Sequence, residues 1–83
     1  MPYIEPGDRI YIDRPLAELN PLIESAGQLD YVIIRLLDHF CKPRSFTRFA
    51  TGVGVLVLVL FEFVRRIVNV YEDTKLAQNG DVF

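Results

Sequence analysis

The most restrictive feature of this sequence is a run of twelve residues without a charge, from Ala50 to Phe61. Its valines alternate with Gly or Leu, which also fits a buried strand, because β-branched residues lose rotamer freedom in helices. Such a strand has no clear partner in the chain, whereas apolar residues continue at helical spacing of three and four positions. They are Phe49, Val53, Leu56, Leu60, Val64, Ile67 and Tyr71. We therefore predict a helix that is apolar, and buried, on nearly all sides.

This long helix is predicted to span residues 45–78. Ser45 is placed to cap its first turn, and Glu62 is placed to pair with Arg66 four residues later. Ala50 and Gly54 form a pair of small residues on one face, which favours the close approach of another helix. Gly in a helix costs about 1 kcal/mol relative to Ala, so such a contact would explain its presence.

The apolar content exceeds what one copy of so short a chain can bury. Of the 83 residues, 51% are hydrophobic, and a chain of this size hides only about 60% of its unfolded surface. We therefore expect a homodimer or higher oligomer, and we place its interface on the long helix. The predicted interface consists of Phe49, Val53, Gly54, Leu56, Leu60, Val64 and Ile67.

A membrane span is the alternative for such an apolar segment. The charge-free run is too short, because a bilayer needs roughly 20 apolar residues. Extending the run brings in Glu62, Arg65 and Arg66, whose transfer into hydrocarbon costs several kcal/mol. The sequence therefore disfavours a membrane protein.

Two shorter helices are predicted before the long one. Residues 28–41 carry the stripe of an amphipathic helix, formed by Leu29, Val32, Ile33, Leu36, Leu37 and Phe40. Residues 15–26 are predicted as a helix that begins after Asp13, is kinked or divided at Pro21 with a second piece from Asn20, and stops at Gly27.

The two ends of the chain are predicted to be non-helical. Residues 1–14 are expected to form an irregular or hairpin-like arm, with a turn at Pro6-Gly7 between β-forming residues. In the tail, 79–83, Asn79-Gly80 is expected to end the long helix through a left-handed cap. Val82-Phe83 are expected to fold back onto an apolar groove, either of the same chain or of a neighbouring subunit. The predicted fold class is thus all-α, a single domain of three helices assembled as an oligomeric bundle.

Charge and cysteine content exclude several classes of protein. The net charge of −2 argues against a general nucleic-acid binder, although residues 35–66 hold six basic and two acidic side chains. Cys41 is the single cysteine, so the chain has no internal disulfide and is expected in the reducing cytoplasm. The first ten residues contain acidic side chains and turn formers, unlike a signal peptide.

One cationic segment is a candidate anion site. Lys42, Arg44 and Arg48 surround the predicted helix start at Ser45, where unpaired backbone N–H groups favour phosphate or carboxylate. A solvated charged loop is the commoner explanation of such a segment.

The sequence predicts no metal site, no cofactor and no catalytic residue. His39 and Cys41 are two soft ligands without a second pair, which falls short of a zinc signature. A Ser-His-Asp or Cys-His mechanism would have to use the single histidine, and the sequence places no nucleophile or orienting acid around it. We therefore expect a protein that is not an enzyme.

The chain begins MPYI, ends YEDTKLAQNGDVF and contains the segments GQLDYVIIRL, VGVL and EFVRR. These segments resemble a family of small uncharacterised proteins from phage and prokaryotic genomes, whose members start with MPYI and end with YEDxKxxxNGDVY. The GQLDYVIIRL segment is similar to GELNYVITRL, and the VGVL and EFVRR segments are similar to IGVLE and EFYRR. The tail residues that carry the resemblance are Tyr71, Glu72, Asp73, Lys75, Asn79, Gly80 and Asp81.

The resemblance implies no activity, cofactor or substrate. This chain has Asp30 and Ile34 where Asn and Thr are usual in the family. In the third helix, where relatives tend to carry polar residues, it has Ala50, Thr51, Val57 and Leu60. Most of these differences make the core more apolar, which further disfavours an enzyme.

Two functional hypotheses follow. The first is a small non-enzymatic, self-associating interaction protein, such as a phage-borne accessory factor that binds a host protein. The second is a binder of a small anionic ligand, such as a nucleotide, at a subunit interface.

Overall fold

A computed structural model describes residues 4–83, and in this range every regular element is helical. Helix α1 spans Pro6–Leu19 and is followed by a 3₁₀ turn, Asn20–Leu22. Helix α2 spans Ala26–Phe40, and helix α3 spans Phe46–Phe63. A π-helical segment, Val64–Val68, joins α3 to helix α4, Asn69–Asn79. The all-α prediction is confirmed.

The chain divides into two compact units, one ending at Lys42 and the other beginning at Pro43. The first unit contains α1, the 3₁₀ turn and α2, and the second contains α3, the π-helical segment and α4. The single-domain organisation stays a prediction.

The prediction of an irregular or hairpin-like N-terminal arm is wrong for residues 6–14, which belong to α1. Pro6 occupies the first turn, where its missing N–H would have had no helical partner and its fixed φ suits the helix. Asp8 adds a negative charge in that turn, next to the positive end of the helix dipole. The Pro6-Gly7 pair thus starts a helix instead of a turn. Residues 1–3 of the predicted arm lie outside the described residues.

Pro15 and Pro21 have different effects on the first unit. The sequence predicts Pro15 in a first turn capped by Asp13, but it lies inside α1, where it removes one backbone hydrogen bond. Helix α1 has no buried residue, so water can satisfy the carbonyl group that this proline leaves unbonded. At Pro21 the predicted break is found, because α1 ends at Leu19 and the separate 3₁₀ turn begins at Asn20.

Helix α2 begins earlier than predicted, through a capping box. The Ser25 hydroxyl oxygen accepts the Gln28 N–H at 3.2 Å, and the Gln28 side chain accepts the Ser25 N–H at 3.0 Å. Gly27, predicted to end the preceding helix, instead lies in the first turn of α2. The Ser-x-x-Gln pattern is a sequence signal for this start. The two hydrogen bonds that the box makes to the backbone N–H groups of Ser25 and Gln28 thus outweigh the cost of placing Gly27 in the helix.

The long third helix is present but is interrupted near its middle. Ser45 caps α3 as predicted, with its hydroxyl oxygen accepting the Arg48 N–H at 3.1 Å. In the π-helical segment the Asn69 N–H bonds to the Val64 carbonyl group, five residues back. Such a turn holds one residue more than an α-helical turn, so α4 is rotated by about 100° relative to an uninterrupted helix. The predicted stripe therefore does not continue in phase from Leu60 to Ile67 and Tyr71.

Helix α4 ends at Asn79, and Gly80 has a φ of 84°, in the region that favours glycine. Its ψ of 156° is far from the left-handed helical value, so the expected left-handed cap is wrong in detail. The Gly80 N–H still bonds to the Leu76 carbonyl group at 2.9 Å and closes the last turn.

The capping box yields a stability prediction. Ser25→Ala should lower the free energy of unfolding by about 1 kcal/mol, because it removes one acceptor and leaves a terminal N–H unbonded. Urea denaturation at fixed protein concentration measures this change. Thr51→Ala, which removes a hydroxyl from the interior of α3, is the matched control and should cause no comparable loss. Equal stability of Ser25→Ala and the native chain would show that the box does not hold the helix start.

Candidate interaction surface

The second unit exposes the apolar side chains of α3. Among the residues of the predicted interface, Phe49, Val53, Leu56 and Leu60 are 40–59% exposed. Ile67, in the π-helical segment, is 55% exposed, and Val64 is half-buried. That these residues form an oligomer interface stays a prediction. In a single chain, the side chains that the sequence predicts to be covered are exposed to solvent.

Buried side chains are scarce throughout the part of the chain that the structure describes. Cys41, at 4% exposure, is the buried hydrophobic residue of residues 4–83, and Gly52 is the buried residue of α3. Cys41 thus packs as a small apolar residue, as predicted. None of the large aliphatic or aromatic side chains in residues 4–83 reaches the same degree of burial.

The packing within each unit explains this exposure. In the described part of the first unit, α1 packs on the 3₁₀ turn that follows it and does not pack on α2. In the second unit, the π-helical segment contacts α3 and α4, its neighbours along the chain. A helix buries its apolar face by packing against another element, and consecutive segments of one helix cannot provide that cover.

Helix α2 shows the same exposure on its apolar stripe. Leu29, Leu36 and Phe40 are 43–63% exposed, while Val32 and Leu37 are half-buried. His39 is exposed as well. This helix therefore presents an amphipathic face that the described residues of the first unit do not cover.

Gly54 has no packing neighbour among the described residues that requires a glycine. A Cβ atom added to Gly54 would meet none of their atoms within 4 Å, so a side chain fits there as far as this chain is concerned. The close approach of another helix at Ala50 and Gly54 stays a prediction.

The candidate anion site is divided between the two units. Lys42 ends the first unit, and its Nζ lies 3.5 Å from Asp38 Oδ2 in a largely exposed ion pair. Arg44, Ser45 and Arg48 belong to the second unit, where the Ser45 hydroxyl already accepts the Arg48 N–H. Arg44 and Arg48 also interact with other groups. The cation of Lys42 and the hydroxyl of Ser45 thus already have partners in the protein.

The polar side of the second unit is organised by short-range pairs. Arg66 Nη1 donates to Glu62 Oε1 at 3.1 Å, which confirms the predicted pair. Lys75 Nζ lies 5.5 Å from the centroid of the Tyr71 ring, within the range of a cation–π contact. These pairs link side chains one turn apart and contribute a few tenths of a kcal/mol each when exposed.

The residues of the family-like tail lie along α4 and just beyond it. Tyr71, Glu72, Asp73 and Lys75 are helical and exposed, and Asn79 is the last helical residue. Beyond Gly80, Asp81 Oδ1 accepts the Phe83 N–H at 2.8 Å. Among residues 4–83, no three His, Cys, Asp or Glu side chains are grouped as metal ligands would be.

The terminal apolar residues do not fold back onto their own chain. Val82 and Phe83 are more than 90% exposed, so the prediction that they cover a groove is wrong within one copy. The hydrogen bond between Asp81 and Phe83 is local and brings neither side chain to an apolar surface. The version of the prediction in which the groove belongs to a neighbouring subunit stays a prediction.

Across residues 4–83, no helix has both the length and the apolarity needed to cross a membrane.

Comparison with known proteins identifies a family but no characterised relative. Searches of curated proteins and of solved structures gave no significant match. A family model described as "Domain of unknown function (DUF6899)" matches residues 1–82, nearly the whole chain. The resemblance to an uncharacterised family is therefore confirmed at this level, and the chain belongs to the DUF6899 family.

Proposed function

We propose that this protein acts by self-association, as a small non-enzymatic interaction protein whose first partner is a second copy of itself. The observation that carries the proposal is the exposure of the large apolar side chains of α3, while no large side chain is buried elsewhere in residues 4–83. A host protein on the same surface is the alternative partner. In this proposal, the single chain is one subunit of a homo-oligomer.

The energetics support an assembly. Moving one Leu, Val or Phe side chain from water into an apolar interface contributes about 1.5–3 kcal/mol. An isolated helix of this length is marginal in water, because most helical stability in proteins comes from packing of an apolar face. Within its unit, α3 touches only the π-helical segment that continues it, so an external surface is needed to supply this stabilisation.

The limited chemical repertoire supports a non-enzymatic role. The chain has one His and one Cys, and Cys41 is buried. His39 and Cys41 lie at the C-terminal end of α2, and within residues 4–83 neither belongs to a group of three potential metal ligands.

Self-association is tested by a charged substitution at the centre of α3. Leu56→Glu should shift the solution mass from a multiple of 9.6 kDa toward 9.6 kDa, because it would bury an unpaired carboxylate at the interface. Light scattering coupled to size exclusion measures the mass. Circular dichroism of the same sample reports whether the helix content falls as the assembly dissociates.

Thr51→Glu is the matched control, since it adds the same charge to the same helix on the polar side. It should keep the native mass. A native chain that already has a mass of 9.6 kDa, or a Leu56→Glu variant with the native mass, would contradict the proposal.

The anion-binding alternative is tested separately with nucleotides. ATP, ADP and GMP should leave the melting temperature unchanged, because Lys42 is paired with Asp38 and Ser45 is occupied as a cap. A ligand at a hundred times its dissociation constant would add about 2.7 kcal/mol of stability, a shift that is easily measured. Asp38→Asn, which releases Lys42, is the control for competition by the carboxylate.

A stabilisation of the native chain by a nucleotide that is lost in Arg48→Gln would favour the anion-binding function instead. A melting-temperature shift that persists in Arg48→Gln would show that the nucleotide binds without Arg48, and would count against the candidate anion site.

A further inference from the structure

Helix α3 carries one stripe in which every position is a large apolar residue. Its members are spaced alternately three and four residues apart, which keeps them on one face of a helix. We call them the central stripe: Phe46, Phe49, Val53, Leu56, Leu60 and Phe63. The stripe begins at the first residue of α3 and ends at its last.

The other faces of α3 lack this continuity. One neighbouring stripe includes Thr47 and Gly54, and another begins at Arg48, passes through Gly52 and ends at Glu62. Glycine contributes no side chain to an interface, and a charged residue costs desolvation there. The central stripe is thus the face of α3 best suited to a continuous helix–helix contact.

The central stripe has the same spacing when it is read in either direction. Its midpoint lies between Gly54 and Val55, and an aromatic residue stands at each end. Two copies related by a two-fold axis at this midpoint would match Phe46 with Phe63, Phe49 with Leu60, and Val53 with Leu56. Each layer would then be apolar on both sides, as the self-complementary interface of a symmetric dimer requires.

We propose that α3 pairs with α3 of a second copy in antiparallel orientation along the central stripe, in the register that places Phe46 of one copy against Phe63 of the other. This proposal rests on the proposed self-association and specifies its geometry.

The exposed area of the stripe fits this occupant. Its six side chains are 40–86% exposed. With roughly 150–200 Å² per large apolar side chain, they offer about 500–700 Å² per copy, near the roughly 800 Å² per partner of a stable interface. Neighbouring apolar residues such as Val57 and Val59, which are 42% and 49% exposed, supply the remainder.

Helix dipoles favour the antiparallel orientation, because the peptide dipoles of the two α3 helices are then opposed instead of aligned. Charged side chains do not oppose the contact at its C-terminal end, since Glu62 lies eleven residues, about three full turns, after Thr51 and so on the side of α3 that faces away from the stripe.

The orientation is tested by spin-label distances on the back of α3. Thr47 and Thr51 are exposed, lie one turn apart and face away from the central stripe, so labels there leave the stripe intact. In a Cys41→Ala background, Thr47→Cys and Thr51→Cys each carry one nitroxide per chain. The unlabelled Cys41→Ala protein must first show the native mass by light scattering.

In the proposed register, two Thr47 positions are fifteen residues apart along the pair, about 22 Å, and two Thr51 positions are seven residues apart, about 10 Å. Double electron–electron resonance should therefore give a clearly longer distance at Thr47 than at Thr51. Equal distances at the two sites, or a longer distance at Thr51, would overturn the antiparallel register while leaving self-association in place. A monomer with no dipolar coupling between labels would overturn both the register and the proposed function.

Discussion

The rest of the structure depends on one constraint: the chain forms its backbone hydrogen bonds locally, within helices, without burying its apolar side chains. Helices α1 to α4 pair their backbone N–H and C=O groups locally, and Ser25 and Ser45 cap two of the helix starts. The hydrophobic surface that those helices carry is left in contact with water. Local hydrogen bonding thus determines where the helices form. Hydrophobic burial, the dominant favourable term in folding, contributes little within one copy. We propose that an external apolar surface supplies this burial, and a second copy is the simplest source of it.

The π-helical segment limits how much of the long helix one interface can use. An uninterrupted helix from Phe46 to Asn79 would keep Leu60, Ile67 and Tyr71 on one face, but the extra residue between Val64 and Val68 rotates α4 away from it. The apolar stripe therefore ends near Phe63, at the C-terminal end of α3. The apolar surface is thus concentrated on α3, whereas α4 carries exposed charges and the Tyr71–Lys75 contact.

The sequence predicts the helices well where one local signal dominates. The stripe of α2, the Ser45 cap, the break at Pro21 and the Glu62–Arg66 pair each follow from spacing within a few residues. The errors occur where two signals compete. Pro6-Gly7 fits both a turn and a helix start, and the helix forms because Pro6 and Asp8 suit its first turn. At Gly27, the glycine favours a stop, but the capping box of Ser25 and Gln28 is stronger.

The candidate surface is predicted in part. Hydropathy alone locates Phe49, Val53, Leu56 and Leu60, because four large apolar residues at helical spacing need no tertiary information. The π-helical segment is not visible in that pattern, since a one-residue insertion leaves the residue types unchanged. For the same reason, the expected continuation through Ile67 and Tyr71 does not hold. The folding back of Val82 and Phe83 depends on contacts distant in sequence, which local patterns do not report.

We infer that the apolar surface of α3 is stabilised by another molecule. The most direct test is the melting temperature of the native chain, followed by circular dichroism over a hundredfold range of protein concentration. If folding is coupled to self-association, the melting temperature must rise with concentration, because mass action favours the assembled state. A cooperative transition whose midpoint is the same at every concentration would show that one copy is stable alone, and would rule out stabilisation by self-association.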